Sequence, residues 1–310
     1  MTKTERRVKW KHRLLWTVSL LITLTVILVV VVFNRFHFSH DLPLGLGRLQ
    51  SSDRRISEFH ADKPQIIGHR GCGLSHHDRP PYIGNTRNAI QRGIREGVDW
   101  VEIDIRRSKD GHLVVFHDES IDEKTNRTGK VANLDLQSLK EADVIVNPHE
   151  KILTLDEVFS EFYPKQRQWI FDIKASGIQK QVLNWLDEHN GKRPSRDQVI
   201  LFGTYDVLQE YKDQGYRLGY TLTWGKLSNR LRVLFHPGSI LDHCENLDCH
   251  YLVLPIIFAN DSLVDKAKEK GIDVWIYGSD NVQDHDDSAK RGITGLIVDR
   301  PADAVKNFAE

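Results

Sequence analysis

The chain has 310 residues, and its 43 basic and 43 acidic side chains give a formal net charge of zero. A general nucleic-acid-binding domain should be strongly basic, so this balance argues against that class of protein and predicts no nucleic-acid partner. The hydrophobic fraction of 40% is ordinary for a globular protein.

The first distinctive segment is an apolar run without charge at Leu14–Phe33. It is long enough to cross a bilayer as a helix, and the tail at residues 1–13 is rich in Lys and Arg. A cleaved signal peptide would have a shorter run and a small-residue cleavage site, which residues 33–37 do not offer. The sequence therefore predicts a single-pass anchor in the lipid bilayer. The positive-inside rule predicts a cytoplasmic tail and an extracytoplasmic remainder.

Residues 34–64 read as a polar linker, and residues 65–310 alternate between strand-like and helical patterns. The predicted strands are Gln65–His69, Trp100–Arg106, Leu113–His117, Trp169–Ile173, Gln198–Phe202, Arg217–Thr223, Leu252–Ile257, Val274–Tyr277 and Gly295–Val298. The predicted helices are Thr86–Glu96, Thr154–Phe162, Gln179–Glu188, Val207–Asp213, Ser262–Lys270 and one that begins at Ala302. About eight such units fit an α/β fold of the TIM (β/α)8 barrel type. An open doubly wound sheet is the alternative, but the chain lacks its glycine-rich phosphate loop.

Two acidic residues of the second strand carry the clearest chemical signal. Side chains alternate along a strand, so Glu102 and Asp104 share one face while Val101 and Ile103 take the other. Two carboxylates at a barrel mouth repel each other unless a cation joins them, and a hard divalent ion prefers oxygen ligands. The alternative for this motif alone is a solvated strand face.

Two histidines follow strand-like runs in the same way, His69 and His117. Histidine transfers protons near neutral pH, and the planar fork of Arg70 suits a phosphate group. A later strand adds Asp172 and Lys174 on one face, an acid for the metal shell and an ammonium for the phosphate. Each piece alone is more often structural, but together they indicate metal-assisted cleavage of a phosphoester.

The cysteines leave alternatives open. Cys244 and Cys249 could form a disulfide or remain loop thiols, and with His243 and His250 they could form a zinc site, although that spacing is not a standard zinc motif.

These segments resemble the glycerophosphodiester phosphodiesterase family, within the phosphatidylinositol-phospholipase-C-like barrels. The family pattern of His-Arg-Gly, Glu-Asn-Thr, Glu-x-Asp and His-Asp stands here, in order, as the segments at residues 69–71, 84–86, 102–104 and 117–118. The Lys109-Asp110-Gly111 turn and the 297–301 segment are also similar to the family, and the resemblance covers roughly residues 65–305.

The resemblance implies a barrel with a small insertion after the second strand, near residues 118–150. It implies that His69 and His117 form the acid–base pair, with His69 assigned here as the base. Glu102, Asp104 and Asp172 would hold one Ca²⁺ or Mg²⁺ ion, and the implied phosphate contacts are Arg70 and Lys174. Two residues depart from the family pattern. Gly84 replaces a Glu, which removes a carboxylate from the rim, and Asp172 stands where a Glu is usual.

The leading hypothesis is hydrolysis of glycerophosphodiesters to glycerol 3-phosphate and an alcohol. A lysophospholipase D that acts on membrane lysophospholipids is the first alternative, with Trp224, Leu227, Trp275 and Tyr277 as a possible apolar approach. A binding barrel without catalysis is the second alternative, for which Gly84 is the only sign.

Overall fold

The structure is a computed structural model that describes residues 63–73, 83–145, 150–163, 165–166, 168–188, 193–223, 229, 232–233, 236 and 238–309. The predicted tail, the predicted anchor at residues 14–33 and nearly all of the predicted linker lie outside the described residues. Within the described ranges, no helix combines the length and the apolar character needed to cross a bilayer.

Ten strands form one sheet in the order β1-β10-β9-β8-β7-β6-β5-β2-β3-β4. They are β1 Gln65–Gly68, β2 Trp100–Arg107, β3 Leu113–Val115, β4 Leu153–Thr154, β5 Trp169–Ile173, β6 Val199–Gly203, β7 Arg217–Thr221, β8 Tyr251–Pro255, β9 Asp273–Tyr277 and β10 Gly295–Val298. A parallel pairing of β1 with β2 closes the sheet on itself. Since β3 and β4 pair antiparallel, the remaining eight strands are the parallel barrel that the sequence predicts.

Helices cover the outside of this barrel. Those with described bounds are α1 Arg87–Glu96, α2 Leu136–Glu141, α3 Leu155–Phe162, α4 Gln179–Asp187, α5 Tyr205–Leu208, α6 Gly238–Leu247, α7 Asp261–Glu269, α8 Val282–Lys290 and α9 Pro301–Asn307. Local sequence explains several of their ends. The Thr86 hydroxyl caps α1 by accepting from the Ala89 amide, and Gly97 ends that helix in the left-handed conformation. Thr154 and Glu157 form a reciprocal capping box at the start of α3.

The insertion lies where the sequence predicts it, after the second barrel strand. There β3 pairs antiparallel with β2, β4 pairs antiparallel with β3, and α2 packs nearby. This region has a small apolar core of its own, separate from that of the barrel. Its buried members are Val114, Phe116, Ile121, Val131, Leu139, Ala142 and Ile152. The insertion is therefore a folded unit that holds its own backbone in place.

The barrel interior decides where the functional side chains point. Trp100, Ile170 and Phe202 belong to one buried cluster that several strands contribute to. Because side chains alternate along β2, Glu102 and Asp104 lie on the same side as Trp100 and point into the barrel. They follow Trp100 toward the carboxyl end of the strand, the end at which barrel enzymes place their active sites.

The three cysteines are free thiols, and each is buried. The Cys249 amide donates to the Cys244 carbonyl at 2.8 Å, so these two residues are neighbours at the end of α6. In the described part of the chain, one group of three or more His, Cys, Asp or Glu side chains could hold a metal, and it contains neither of these cysteines. The zinc interpretation therefore gains no support.

Candidate active site

Three carboxylates from two neighbouring strands form one buried cluster. The parallel register pairs Asp104 of β2 with Asp172 of β5, and Glu102 lies two residues before Asp104 on the same face. One oxygen from each residue lies within 4.8 Å of the others. The exposed fractions are 3% for Glu102, 1% for Asp104 and 8% for Asp172. The structure thus brings together the three residues that the sequence proposes as metal ligands.

Two cationic side chains contact this cluster. The Lys174 ammonium lies 2.5 Å from Asp172 Oδ2 and 3.2 Å from Asp104 Oδ1. The Arg70 Nε lies 3.3 Å from Asp104 Oδ2, and the Arg70 backbone amide donates to Glu102 Oε2 at 2.7 Å. Two positive charges therefore face three carboxylates, which leaves the group one negative charge in excess when all are ionised.

Burial and the neighbouring charges shift the pKa values of two of these carboxylates in opposite directions. Burial, with the added repulsion of Asp104 and Asp172, raises the pKa of Glu102 well above its usual value. Burial alone would also raise the pKa of Asp104. The nearby charges of Lys174 and Arg70 outweigh that effect and hold it below its usual range. Glu102 is therefore the group whose ionised form most needs a further cation.

The donor set fits a divalent ion. Asp104 Oδ1 is buried and makes no hydrogen bond, and its cation contact is the Lys174 ammonium at 3.2 Å. An oxygen in this position has coordination capacity left for a metal ion. The available donors are all carboxylate oxygens, which suit hard cations rather than thiophilic ones.

The first predicted histidine is held by an acid from the opposite end of the chain. His69 follows β1, and its Nδ1 lies 2.6 Å from Oδ1 of Asp299, which follows β10. The Asp299 backbone amide in turn donates to Asp280 Oδ1 at 2.8 Å. No role was predicted for Asp299, although its place directly after a barrel strand is the same signal that identified His69.

The second histidine has a carboxylate partner in the next residue. His117 Nδ1 lies 2.6 Å from Asp118 Oδ1, and Arg106 grips the His117 carbonyl oxygen with two donors, at 2.9 and 2.7 Å. Burial lowers the pKa of His117, against the opposing effect of the hydrogen bond to Asp118. Among the other charges that act on this imidazole, Asp104 raises its pKa and Arg70 lowers it.

Asn85 is a site residue that the sequence analysis quoted only as part of a motif. Its Nδ2 donates to Asp104 Oδ2 at 2.7 Å, and its Oδ1 accepts from the Asp104 amide at 3.1 Å. The Asn85 amide also donates to the Arg70 carbonyl at 2.9 Å. Both Asn85 and Arg70 have positive φ angles, 67° and 52°. Asn tolerates this conformation, which lets one short side chain fix Asp104 in orientation.

Gly84 lies close against the side chain of Arg70. A Cβ atom on Gly84 would lie 2.5 Å from Arg70 Cβ and 2.8 Å from Arg70 Cδ. Arg70 therefore occupies the space that any side chain at position 84 would need. The three-carboxylate cluster forms without a contribution from this position.

We expect Gly84→Ala to displace Arg70 from Asp104, because the added methyl group overlaps the arginine stem. Overpacking of this kind typically costs roughly 1–3 kcal/mol of stability. Loss of one charge contact at the site should lower kcat/KM on the order of 10-fold. Thermal unfolding and steady-state kinetics measure the two effects. Gly238→Ala is the matched control, since its Cβ would meet nothing within 4 Å. Unchanged kinetics in Gly84→Ala would show that Arg70 is not held by this close approach.

Of the four residues that the sequence suggests as an apolar approach to the site, two lie in the described ranges. Trp275 is 2% exposed and packs inside the barrel against Trp100 and Phe202, so it cannot line an entrance. Tyr277 is half-buried and donates to the Leu222 carbonyl at 2.8 Å. Trp224 and Leu227 lie outside the described residues.

The fold is an eight-stranded barrel, with a buried acid cluster inside it and two imidazoles that each contact a carboxylate. Comparisons with known proteins identify the family. The model of the Glycerophosphoryl diester phosphodiesterase family matches residues 69–303. The chain belongs to that family, and the predicted enzyme class, a phosphoric diester hydrolase, is confirmed.

Individual relatives extend this result. A glycerophosphodiester phosphodiesterase of Caldanaerobacter subterraneus subsp. tengcongensis is 29% identical over 252 residues, which cover 77% of this chain and 95% of the relative. Glycerophosphodiester phosphodiesterase 1 of Homo sapiens is 32% identical over 121 residues, 37% of this chain and 35% of that protein.

Solved structures share the fold. A putative glycerophosphoryl diester phosphodiesterase of Agrobacterium tumefaciens superposes with a TM-score of 0.67 at 18% identity, over 79% of this chain and 97% of that one. An Oleispira antarctica phosphodiesterase, solved in complex with the product sn-glycerol-3-phosphate, gives a TM-score of 0.66 at 21% identity, over 80% and 97% of the two chains.

Proposed function

We propose that this chain hydrolyses glycerophosphodiesters to glycerol 3-phosphate and an alcohol, with one Ca²⁺ or Mg²⁺ ion held by Glu102, Asp104 and Asp172. The cluster of three buried carboxylates, with one oxygen of each within 4.8 Å of the others, is the observation that supports the proposal most strongly. When bound, such an ion supplies Lewis-acid polarisation of a phosphate oxygen. The family membership and the product complex of the Oleispira antarctica relative support the substrate class.

Arg70 and Lys174 fit the role of phosphate contacts because both are held at the cluster by ion pairs. Fixed charges of this kind stabilise a developing negative charge without reorganisation during the reaction. Each also neutralises part of the carboxylate charge, which would otherwise repel an anionic substrate.

The two imidazoles are suited to opposite proton transfers. Burial lowers the pKa of His117, which favours the neutral form of this ring. With Nδ1 of His117 bonded to Asp118, Nε2 is the nitrogen that can accept a proton from the attacking water or substrate hydroxyl group. The contact with Asp299 likewise engages His69 Nδ1, which leaves Nε2 as the nitrogen that can donate a proton to the leaving alcohol. We therefore propose His117 as the base and His69 as the acid, the reverse of the sequence-based assignment.

The membrane anchor at residues 14–33, with the barrel on the extracytoplasmic side, stays a prediction from sequence. It also remains the motivation for the lysophospholipase D alternative, since it would hold the barrel near single-chain lipids. Protease added to sealed vesicles whose cytoplasmic face is inside tests this orientation, and the barrel should be cleaved. Cleavage only after the vesicles are permeabilised would contradict the predicted orientation.

The substrate proposal is tested with the purified full-length chain in detergent, with glycerophosphocholine beside lysophosphatidylcholine and with Ca²⁺ or Mg²⁺ present. Release of glycerol 3-phosphate from glycerophosphocholine is the expected result. Release of lysophosphatidate as the dominant reaction would favour the lysophospholipase D alternative. Turnover of neither substrate would favour a binding barrel.

A further inference from the structure

The carboxylate of Asp118 contacts two side chains, the imidazole of His117 and the ammonium of Lys124. Its Oδ1 lies 2.6 Å from His117 Nδ1, and its Oδ2 lies 2.7 Å from the ammonium of Lys124. Both oxygens of the carboxylate are thus engaged, which fixes its rotation about the bond to Cβ. The direction in which it holds the imidazole is fixed as well, because the hydrogen bond to Nδ1 sets the ring plane.

Lys124 is itself held in place. It is 8% exposed, although lysine is rarely buried to that degree unless it is paired. Its carbonyl accepts from the Ile145 amide at 3.0 Å, and its own amide donates to Ile121 at 3.3 Å. The next residue, Thr125, forms an isolated β-bridge with Val144. The backbone that carries this ammonium is therefore held by hydrogen bonds within the insertion.

We propose that Lys124 is a positioning residue of the active site, which acts through Asp118 to orient His117 for proton transfer. The inference rests on the proposed function of His117. It gives the insertion a role in the chemistry, because the insertion places a cation behind the carboxylate that supports the histidine. The other dyad, His69 with Asp299, is supported by a backbone amide contact to Asp280 instead.

A second lysine of the insertion provides a matched comparison. Lys130 pairs with Glu119 at 2.7 Å, but both side chains are mostly exposed, 60% and 68%. Exposed pairs of this kind contribute little. The pair contacts neither histidine in the described hydrogen bonds. A general effect of removing a lysine from the insertion should thus appear equally in Lys124→Met and Lys130→Met, whereas a positioning effect should appear only in the former.

The test compares kcat and KM of the full-length chain with glycerophosphocholine. Lys124→Met should lower kcat on the order of 10-fold, the size of one hydrogen bond to a charged partner. KM should stay unchanged because Lys124 does not reach the substrate. Lys124→Arg should restore most of the activity, and Lys130→Met should match the wild type. If Lys124→Met fails to fold, Lys124→Gln replaces it with the same expectation.

A double-mutant cycle shows whether the effect passes through Asp118. In an Asp118→Asn background, adding Lys124→Met should change kcat by less than about twofold, because coupled residues are not additive. The full loss in that background would overturn the proposal. So would wild-type kinetics in Lys124→Met, or the absence of rescue by Lys124→Arg in a protein that unfolds at the wild-type temperature.

Nitrogen-15 NMR of the histidine rings tests the inference without any turnover. His117, assigned with a His117→Gln variant, should show a single tautomer with its proton on Nδ1 in the wild type and a mixture of tautomers in Lys124→Met. An unchanged tautomer in Lys124→Met would overturn the positioning role. If the wild type hydrolyses no glycerophosphodiester, the proposed function fails, and these spectra still decide the inference.

Discussion

His69→Ala and His117→Ala are each expected to reduce kcat for glycerophosphocholine by ~10²–10⁴-fold, the usual contribution of one positioned acid or base. Both rings are only partly buried, with side-chain exposures of 23% and 33%, so neither truncation should unfold the barrel. Steady-state kinetics and thermal unfolding of the purified variants measure this. Near-wild-type turnover by either variant would remove that histidine from the mechanism.

The leaving group distinguishes the acid from the base. A p-nitrophenyl ester of glycerol 3-phosphate releases an anion that needs no proton, so a missing acid matters less with this substrate. We expect the defect of His69→Ala to shrink strongly with the p-nitrophenyl ester and the defect of His117→Ala to persist. The opposite pattern would restore the assignment of His69 as the base.

The second large effect is expected from Asp104→Asn. The amide keeps the shape of the side chain but removes the charge that contacts Arg70 and Lys174. We expect the affinity for Ca²⁺ or Mg²⁺ to fall at least ~100-fold, because a hard cation loses one of three carboxylate ligands. Activity at a fixed cation concentration should fall in parallel. Calorimetric titration of the cation measures the affinity directly.

Asp303→Asn is the control for this substitution, since Asp303 is an exposed acid of α9. It should bind the cation as the wild type does. Stability must be followed as well, because removal of one partner from a buried ion pair leaves the other uncompensated. A folded Asp104→Asn variant with wild-type cation affinity would show that the ion, if any, binds outside this cluster.

The residues of the carboxylate cluster were accessible from the sequence because strand periodicity is a local property. Glu102 and Asp104 had to share a face once β2 was recognised, and the apolar Val101 and Ile103 indicated which face was outside. The pairing of Asp104 with Asp172 depends on strand register across the barrel, which single-sequence periodicity does not contain. The family resemblance supplied that link.

The supporting residues were harder to find. Asp299 follows a barrel strand as His69 does, but the contacts that Asp299 and Lys124 make join distant or looped segments, and no spacing rule predicts those contacts. Three helices were also missing from the predicted elements, and α8 shows why. Its buried residues include His285 and Ser288 rather than an apolar stripe, so it gives little periodic signal. The predicted helix at 207–213 is instead a short α5 followed by a 3₁₀ turn at Gln209–Tyr211.

A crystal structure of the protein with Ca²⁺ and glycerol 3-phosphate bound would show whether the carboxylate cluster and the two histidines form one site. We predict one cation in contact with oxygens of Glu102, Asp104 and Asp172, with the phosphate of the ligand within hydrogen-bond reach of both His69 and His117. A cation bound elsewhere, or either imidazole turned away from the phosphate, would contradict it.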